Sequence, residues 1–261
     1  MSFSWTRVGA VIRKELRDYR RNRFILSTMT MVPVIFIIAP LIQMFAANAA
    51  ATDVHLDARI GLSMIYLLVI PVTVPAVLAS YSVVGEREQG TLEPVLTTPI
   101  RREELLIGKG LAAFLPAVVV SYAVFGLFLA AAAAFAHPAI AAAIFSGTHV
   151  LVQVLFTPLL AGWSIWVGIA VSTRAGDVRV AQQLGTLASL PPLVVLALVS
   201  LNVITASTGL AVALAAGLLV FDLLAWRVVA AMFDRERLVT GRPSTRRSAN
   251  PAPRSCTSRS V

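Results

Sequence analysis

Long apolar stretches alternate with short polar ones along the chain, and this pattern predicts membrane helices. A helix needs about 20 apolar residues to cross a hydrocarbon core. Six stretches meet that length, at residues 24–46, 60–84, 106–135, 150–172, 180–201 and 208–230. Pro191 and Pro192 interrupt the fifth and should kink it, because proline has no amide N–H. The last two stretches are so close that a re-entrant turn there remains open. The predicted fold class is an all-α membrane protein with six transmembrane helices.

Composition excludes an ordinary soluble domain. Of the 261 residues, 57% are hydrophobic and only 13% are charged, whereas a soluble domain carries roughly 25% charged residues. Membrane lipid is therefore an expected partner. The net charge of +9 suits cytoplasmic loops that face anionic lipid, and no nucleic acid is expected. The one cysteine, Cys256, cannot form a disulfide within the chain.

The distribution of basic residues predicts the orientation. Seven Lys and Arg residues precede the first stretch, four lie in residues 85–109, two lie between the fourth and fifth stretches, and eight lie from Arg227 onward. Only Arg59 falls on the other side. Because cytoplasmic loops carry the excess of Lys and Arg, both termini should be cytoplasmic, in a multi-pass protein of the cell membrane. The outer loops, about 47–59, 136–149 and 202–207, are short.

The two ends of the chain differ in pattern. Apolar residues recur at steps of three and four near the start, at Trp5, Val8, Ile12, Leu16 and Tyr19. This spacing predicts an amphipathic helix over residues 5–21 that lies in the cytoplasmic interface, either as a membrane anchor or in contact with a partner. Residues 238–261 are rich in Ser, Pro and Arg and are predicted to be a disordered basic tail. The transmembrane domain is then 1–237.

The segment between the second and third stretches, GEREQGTLEPVLTTPIRREELLIGK (residues 85–109), carries nine charged residues. Thr91 can cap a short helix that places Leu92, Val95 and Leu96 on one face. Charged residues surround this apolar patch: Glu86, Arg87, Glu88 and Glu93. An apolar patch with a charged rim suits docking to a soluble protein, but an ordinary solvated loop explains the same residues.

The same segment resembles the stretch between the second and third spans of ABC-2 type transporter permeases. The matching motifs are Glu86-Arg87-Glu88, Gly90-Thr91-Leu92-Glu93, Val95-Leu96, Thr98-Pro99 and Gly108-Lys109. Weaker similarity to this family extends over Arg13–Arg23 ahead of the first stretch and Phe233–Leu238 after the last. The resemblance implies a cytoplasmic coupling helix, formed by the residues around Thr91 and Leu92, that contacts an ABC ATP-binding subunit.

The resemblance also implies a function. The chain would be the permease subunit of an ATP-binding cassette transporter, which couples ATP hydrolysis on a separate subunit to export of a substrate across the cytoplasmic membrane. A second permease, identical or paralogous, should complete the transporter, and the small residues Gly162, Gly168, Ala130 and Ala134 permit close approach of helices. An alternative is a force-transmitting subunit of an ABC machine that assembles or releases an extracytoplasmic protein.

Catalysis by this chain is not expected. A phosphate loop needs Gly, four residues and Gly-Lys-Ser/Thr, whereas Gly108-Lys109 is followed by Gly110. We therefore expect ATP and Mg to bind to the partner subunit and no cofactor to bind here. No metal site is expected either, and His137 and His149 are interpreted as polar loop residues. An intramembrane enzyme would need ionisable groups in the spans, and only Asp222 and Arg227 qualify.

Asp222 is the one carboxylate predicted to lie within the last stretch. A carboxylate at such depth is costly and usually faces a cavity or a partner. Asp222 either lines the translocation path or contacts a cationic group, or else the stretch ends near Trp226 and the carboxylate is simply hydrated. Arg227 is five residues away and should point in another direction.

Overall fold

A computed structural model describes residues 3–47, 53–86, 100–201 and 208–232. Within these ranges the chain forms ten α-helices, one π-helical turn and no strand. The helices are α1 Trp5–Arg21, α2 Arg23–Ala46, α3 Asp53–Leu68, α4 Ile70–Ser80, α5 Arg102–Phe135, α6 Pro138–Ile144, α7 Gly147–Ser172, α8 Val178–Ser189, α9 Pro191–Ser200 and α10 Thr208–Met232. The π-helical turn, Tyr81–Gly85, continues directly from α4. The predicted tail, 238–261, lies outside the described residues.

Six helical segments are long and apolar enough to cross a membrane, which confirms the predicted number. They are Arg23–Ala46, Arg59–Ser80, Glu103–Phe135, Gly147–Ser172, Val178–Ser200 and Gly209–Val229, called here spans one to six. Each overlaps the predicted stretch closely, because the length of an apolar run is a direct signal of a membrane helix. The protein is thus an all-helical, multi-pass membrane protein.

Spans two and five each consist of two helices joined end to end. In span five, α8 ends at Ser189 and α9 begins at Pro191, at the predicted proline pair. Span two divides in the same way at Val69, with Pro71 in the first turn of α4. Proline is tolerated in a first turn because the N–H it lacks has no helical partner there. The question of a re-entrant turn between spans five and six concerns residues 202–207, which lie outside the described ranges.

Spans two and four form the centre of the molecule. Most of span two is buried, whereas only a small part of span six is. Serine side chains join the two central spans: the Ser164 hydroxyl donates to the Val72 carbonyl at 2.5 Å, and that of Ser172 to the Ser80 carbonyl at 2.7 Å. A Cβ at Gly168 would lie 2.8 Å from that of Ala79, so a glycine is required at this contact. Small residues and interhelical hydrogen bonds are typical of close packing in membranes.

The first helix has the predicted bounds, but its buried side is rotated from the predicted one. Val8 and Tyr19 are buried, as the spacing indicated, while Trp5 is 68% exposed. Val11 and Glu15 complete the buried stripe. This stripe packs on the start of α5, where a Cβ at Gly108 would lie 2.7 Å from Cγ1 of Val11. Placement of the helix in the membrane interface stays a prediction.

Candidate functional site

The predicted coupling helix lies almost wholly outside the described residues. Of the residues assigned to it, Arg87, Glu88, Gly90, Thr91, Leu92, Glu93, Val95 and Leu96 are not described, and Glu86 is. The structure does describe both places where the segment joins the spans. It leaves span two after Glu86, and it returns at Ile100 to enter span three. These two attachment points are the part of the site whose geometry is known.

Glu86 lies in a buried cluster of four charged residues, called here the charge cluster: Lys14, Glu15, Glu86 and Lys109. Lys109 is at its centre and its side chain is fully buried. Its ammonium group lies 2.9 Å from Oε1 of Glu15 and 2.8 Å from Oε2 of Glu86. It also donates to the Ser82 carbonyl at 2.7 Å. Of its three N–H donors, two form hydrogen bonds, to Glu15 and to the Ser82 carbonyl, while the contact with Glu86 is an ion pair.

Lys14 closes the charge cluster on the side of the first helix. Its ammonium group contacts the Glu86 carboxylate and lies 3.3 Å from Glu15 and 3.4 Å from Asp18. Burial alone would lower the pKa of Lys14, but the charges of Glu15 and Glu86 outweigh it and raise the pKa above its usual value. Burial alone would likewise raise the pKa of Glu15, yet Lys109 and Lys14 hold it below the usual value. Lys14 and Glu15 are therefore both ionised near neutral pH.

A second carboxylate ties the first helix to the start of span three. Glu104 is fully buried and accepts a hydrogen bond from the backbone N–H of Ser4 at 2.8 Å. It also accepts from the N–H of Arg101 at 3.2 Å, where it caps α5. The Arg7 guanidinium lies 2.9 Å from the same carboxylate. The first helix is consequently held at two points along α5, once at Glu104 and again at Lys109.

The length of α5 exceeds the thickness of a membrane core. The helix has 34 residues, which is about 51 Å at 1.5 Å per residue, while the hydrocarbon core is only about 30 Å thick. Lys109 stands seven residues after its start, so the charge cluster can lie at the edge of the core rather than within it. Buried ion pairs tolerate such a position when each charge has partners.

Asp222 occupies a different setting, in span six. Its carboxylate rests on span four, where a Cβ at Gly162 would lie 2.7 Å from Cγ of Asp222. Its Oδ1 atom is buried and accepts no hydrogen bond from the described residues. The helix continues past Trp226 to Met232, and hydration of Asp222 near the interface stays an alternative to a role in the translocation path. Arg227 is exposed and lies over the Trp226 ring, 5.5 Å from its centroid.

The two histidines predicted as loop residues are separate from these sites. His149 Nδ1 lies 2.8 Å from the Ser146 hydroxyl and 3.1 Å from the Ala143 carbonyl. Within the described ranges, His, Cys, Asp and Glu side chains form no group of three or more that could hold a metal ion. His149 lies within α7, not in the loop that the sequence predicted, and its side chain contacts α6 and the residue before α7.

Comparison with known proteins identifies the family. The profile of the family described as ABC-2 family transporter protein matches residues 9–238. The chain belongs to this family. It is thus the membrane subunit of an ABC transporter, a family that works with an ATP-binding subunit. A comparison with curated proteins finds no significant match.

In this ABC-2 permease the charge cluster joins three parts of the chain. Lys14 and Glu15 belong to the first helix, Glu86 follows span two, and Lys109 belongs to span three. If Glu86 moves, the ion pairs of the charge cluster therefore transmit that movement to the first helix and to span three. Charged hydrogen bonds of this kind fix relative orientation as well as contributing energy.

Sequence analysis did not find the charge cluster, although two signals were present. Lys109 stands alone in an apolar run, and a cation in such a run needs a partner. Glu15 occurs at the same helical spacing as Val8, Val11 and Tyr19, which places an acid on a buried stripe. The partners could not be read from the sequence, because Lys109 and Glu15 are 94 positions apart. Glu86 was assigned to the rim of the docking patch, and that role stays a prediction.

Proposed function

We propose that this permease exports a substrate across the cytoplasmic membrane and is driven by ATP hydrolysis on a separate ATP-binding subunit. ATP and Mg bind to that subunit, and residues 86–96 of the permease form the coupling helix that contacts it. The observation that carries the proposal is the charge cluster. It links both ends of the coupling segment to the first helix, so that closure of the ATP-binding subunits can act on several helices at once.

The transporter contains two permeases and two ATP-binding subunits in this proposal, because six spans are half of the usual transmembrane set of the family. Gly162 and Gly168 contact Asp222 and Ala79 of the same chain, so we place the contact between the two permeases elsewhere. Ala130 and Ala134 are exposed on span three and permit a close approach of the second copy.

Uncoupling tests the proposed role of the coupling helix. Leu92→Asp places a charge where an apolar side chain docks, and Glu88→Lys reverses a charge at the rim. A buried, unpaired interfacial charge costs about 2–5 kcal/mol, so Leu92→Asp should abolish stimulation of ATP hydrolysis by the permease in the reconstituted complex. Val239→Asp, the same substitution type in the predicted tail, is the control. Normal ATPase stimulation and transport in the Leu92→Asp complex would remove the basis for the coupling helix.

Orientation can be tested without adding a reactive group, because Cys256 is the one cysteine of the chain. A membrane-impermeant maleimide should label Cys256 only after the cells are permeabilised, since the C-terminus is proposed to be cytoplasmic. For comparison, a cysteine introduced at the exposed Phe145 in a Cys256→Ser background should be labelled in intact cells. Labelling of Cys256 in intact cells would show the opposite orientation. Residues 87–99 and a cytoplasmic ATP-binding subunit would then be on opposite sides of the membrane.

A further inference from the structure

Asp222 lies well inside the membrane-spanning part of the molecule. It is ten residues before the end of α10 at Met232, which is about 15 Å along the helix. Gly162, its contact on span four, is likewise ten residues before the end of α7 at Ser172. Both residues are therefore at similar depths, roughly halfway through a core of about 30 Å.

The contact is built around a glycine. A Cβ at position 162 would lie 2.7 Å from Cγ of Asp222 and 2.9 Å from its Oδ1, which no real side chain tolerates without displacement of the carboxylate. By contrast, a Cβ at Gly217, which lies in span six like Asp222, would meet nothing within 4 Å. The carboxylate thus occupies a notch in span four that exists only because residue 162 has no side chain.

No described cation neutralises this carboxylate. None of the ion pairs among the described residues includes Asp222. Its Oδ1 atom is buried, and no described residue donates a hydrogen bond to it. Arg227, the other charged residue of span six, is turned outward. A carboxylate in this position is costly unless a ligand or partner supplies the missing charge.

Two aromatic rings meet at the neighbouring contact between the same two spans. Trp163 follows Gly162, Phe221 precedes Asp222, and their ring centroids are 4.2 Å apart. The indole Nε1 of Trp163 is also buried with no hydrogen-bond partner among the described residues. Aromatic surface close to an acidic group is the chemistry that recognises organic cations. In addition, Asp222 Oδ1 and Trp163 Nε1 are both buried without a hydrogen-bond partner among the described residues, which is uncommon for buried polar atoms.

We propose that Gly162, Trp163, Phe221 and Asp222 form a binding position within the membrane for the positively charged group of an amphiphilic organic cation. Asp222 supplies the countercharge, the two rings supply apolar surface, and Gly162 leaves the space in which the carboxylate rests. This inference deepens the proposed export function and rests on it, since it names the class of substrate that the permease moves.

Two probes of equal shape and opposite charge test the site. Equilibrium dialysis measures the binding of tetraphenylphosphonium and of tetraphenylborate to the full-length permease in lipid nanodiscs. No ATP-binding subunit is present, and binding to empty nanodiscs is subtracted. The wild-type chain should bind the cation more tightly than the anion. Asp222→Asn keeps the size of the side chain and should weaken cation binding about tenfold or more, because it removes the opposite charge from a site of low dielectric constant, without changing anion binding.

Glycine variants provide an independent arm. Gly162→Ala displaces the carboxylate and should weaken cation binding, whereas Gly217→Ala should leave it unchanged. Equal cation affinity in the wild-type chain and in Asp222→Asn would overturn the proposal, and so would equal affinity in the two glycine variants. Because no ATP-binding subunit is present, a negative result here leaves the test of coupling at Leu92 unaffected.

Discussion

Two sites in this permease hold buried carboxylates, and they differ in whether those carboxylates have cationic partners among the described residues. In the charge cluster, Glu15 and Glu86 share two ammonium groups, and each distance to Lys109 is below 3 Å. In span six, Asp222 has a buried oxygen with no described partner. Both arrangements remove carboxylates from water, which is costly. The charge cluster is therefore built as a fixed joint, whereas the site in the spans is left incomplete.

The largest expected effect comes from breaking the fixed joint. Lys109→Met removes the fully buried ammonium group that pairs with both Glu15 and Glu86, and removal of one member of a buried ion pair costs about 3–5 kcal/mol. We expect a large drop in the unfolding temperature of the purified chain and poor membrane levels. Lys14→Met should cost less, because its side chain is 41% exposed and exposed ion pairs contribute about 1 kcal/mol or less.

A triple variant separates charge from packing in the same cluster. Lys109→Met combined with Glu15→Met and Glu86→Met removes the unpaired acids, and apolar replacement of a whole buried ionic group is often neutral for stability. The triple variant should therefore be more stable than Lys109→Met alone. If the two unfold at the same temperature, the side chains of the cluster are not paired as described here.

A smaller effect is expected at Gly162. Gly162→Ala forces the Asp222 carboxylate away from span four, and overpacking of this kind costs about 1–3 kcal/mol. Gly217→Ala on the exposed side of span six should be neutral or slightly stabilising, since alanine is the better helix former. Thermal unfolding of the two variants in the same detergent gives the comparison. A Gly162→Ala chain as stable as Gly217→Ala would mean that the notch is not filled.

The smallest effect is expected from pH. The folded pKa of Glu15 is below its ordinary value of 4.5, so its stabilising contribution is complete above pH 4.5 and is lost as the pH falls through the folded pKa. The pKa of Lys14 is above 10.5, so its contribution is complete below pH 10.5 and is lost as the pH rises further. Wild-type stability should decline below pH 4.5 more steeply than that of Glu15→Gln. Parallel acid profiles of the two chains would contradict the described pairing of Glu15.

The sequence predicted the helical architecture well because its signals are local. Each span is a continuous apolar run, and the break in span five occurs at two adjacent prolines, Pro191 and Pro192. The bounds of the first helix followed from a spacing within 17 residues. In each case the information lies in neighbouring residues. A chain segment that crosses the membrane must form its backbone hydrogen bonds internally, and a helix does so.

The two acidic sites could not be predicted in this way, because each depends on contacts between distant parts of the chain. Lys109 meets Glu15 across 94 positions, and Asp222 meets Gly162 of another span. Sequence analysis singled out Asp222 from its place in an apolar run, but it found neither the notch at Gly162 nor the neighbouring Trp163 and Phe221. The rotation of the first helix was missed for the same reason, since its buried stripe is set by packing on α5.

Site-specific crosslinking tests the central claim, that the segment joined to the charge cluster contacts the ATP-binding subunit. A photoreactive amino acid is placed at Leu92, at Val95 and, as a control, at the exposed Phe145 in the outer loop, and the crosslinked product from the assembled transporter is identified by mass spectrometry. The account predicts capture of a protein with a phosphate-loop sequence from positions 92 and 95 and none from position 145. Capture of that subunit from position 145, or its absence at both 92 and 95, would contradict the account.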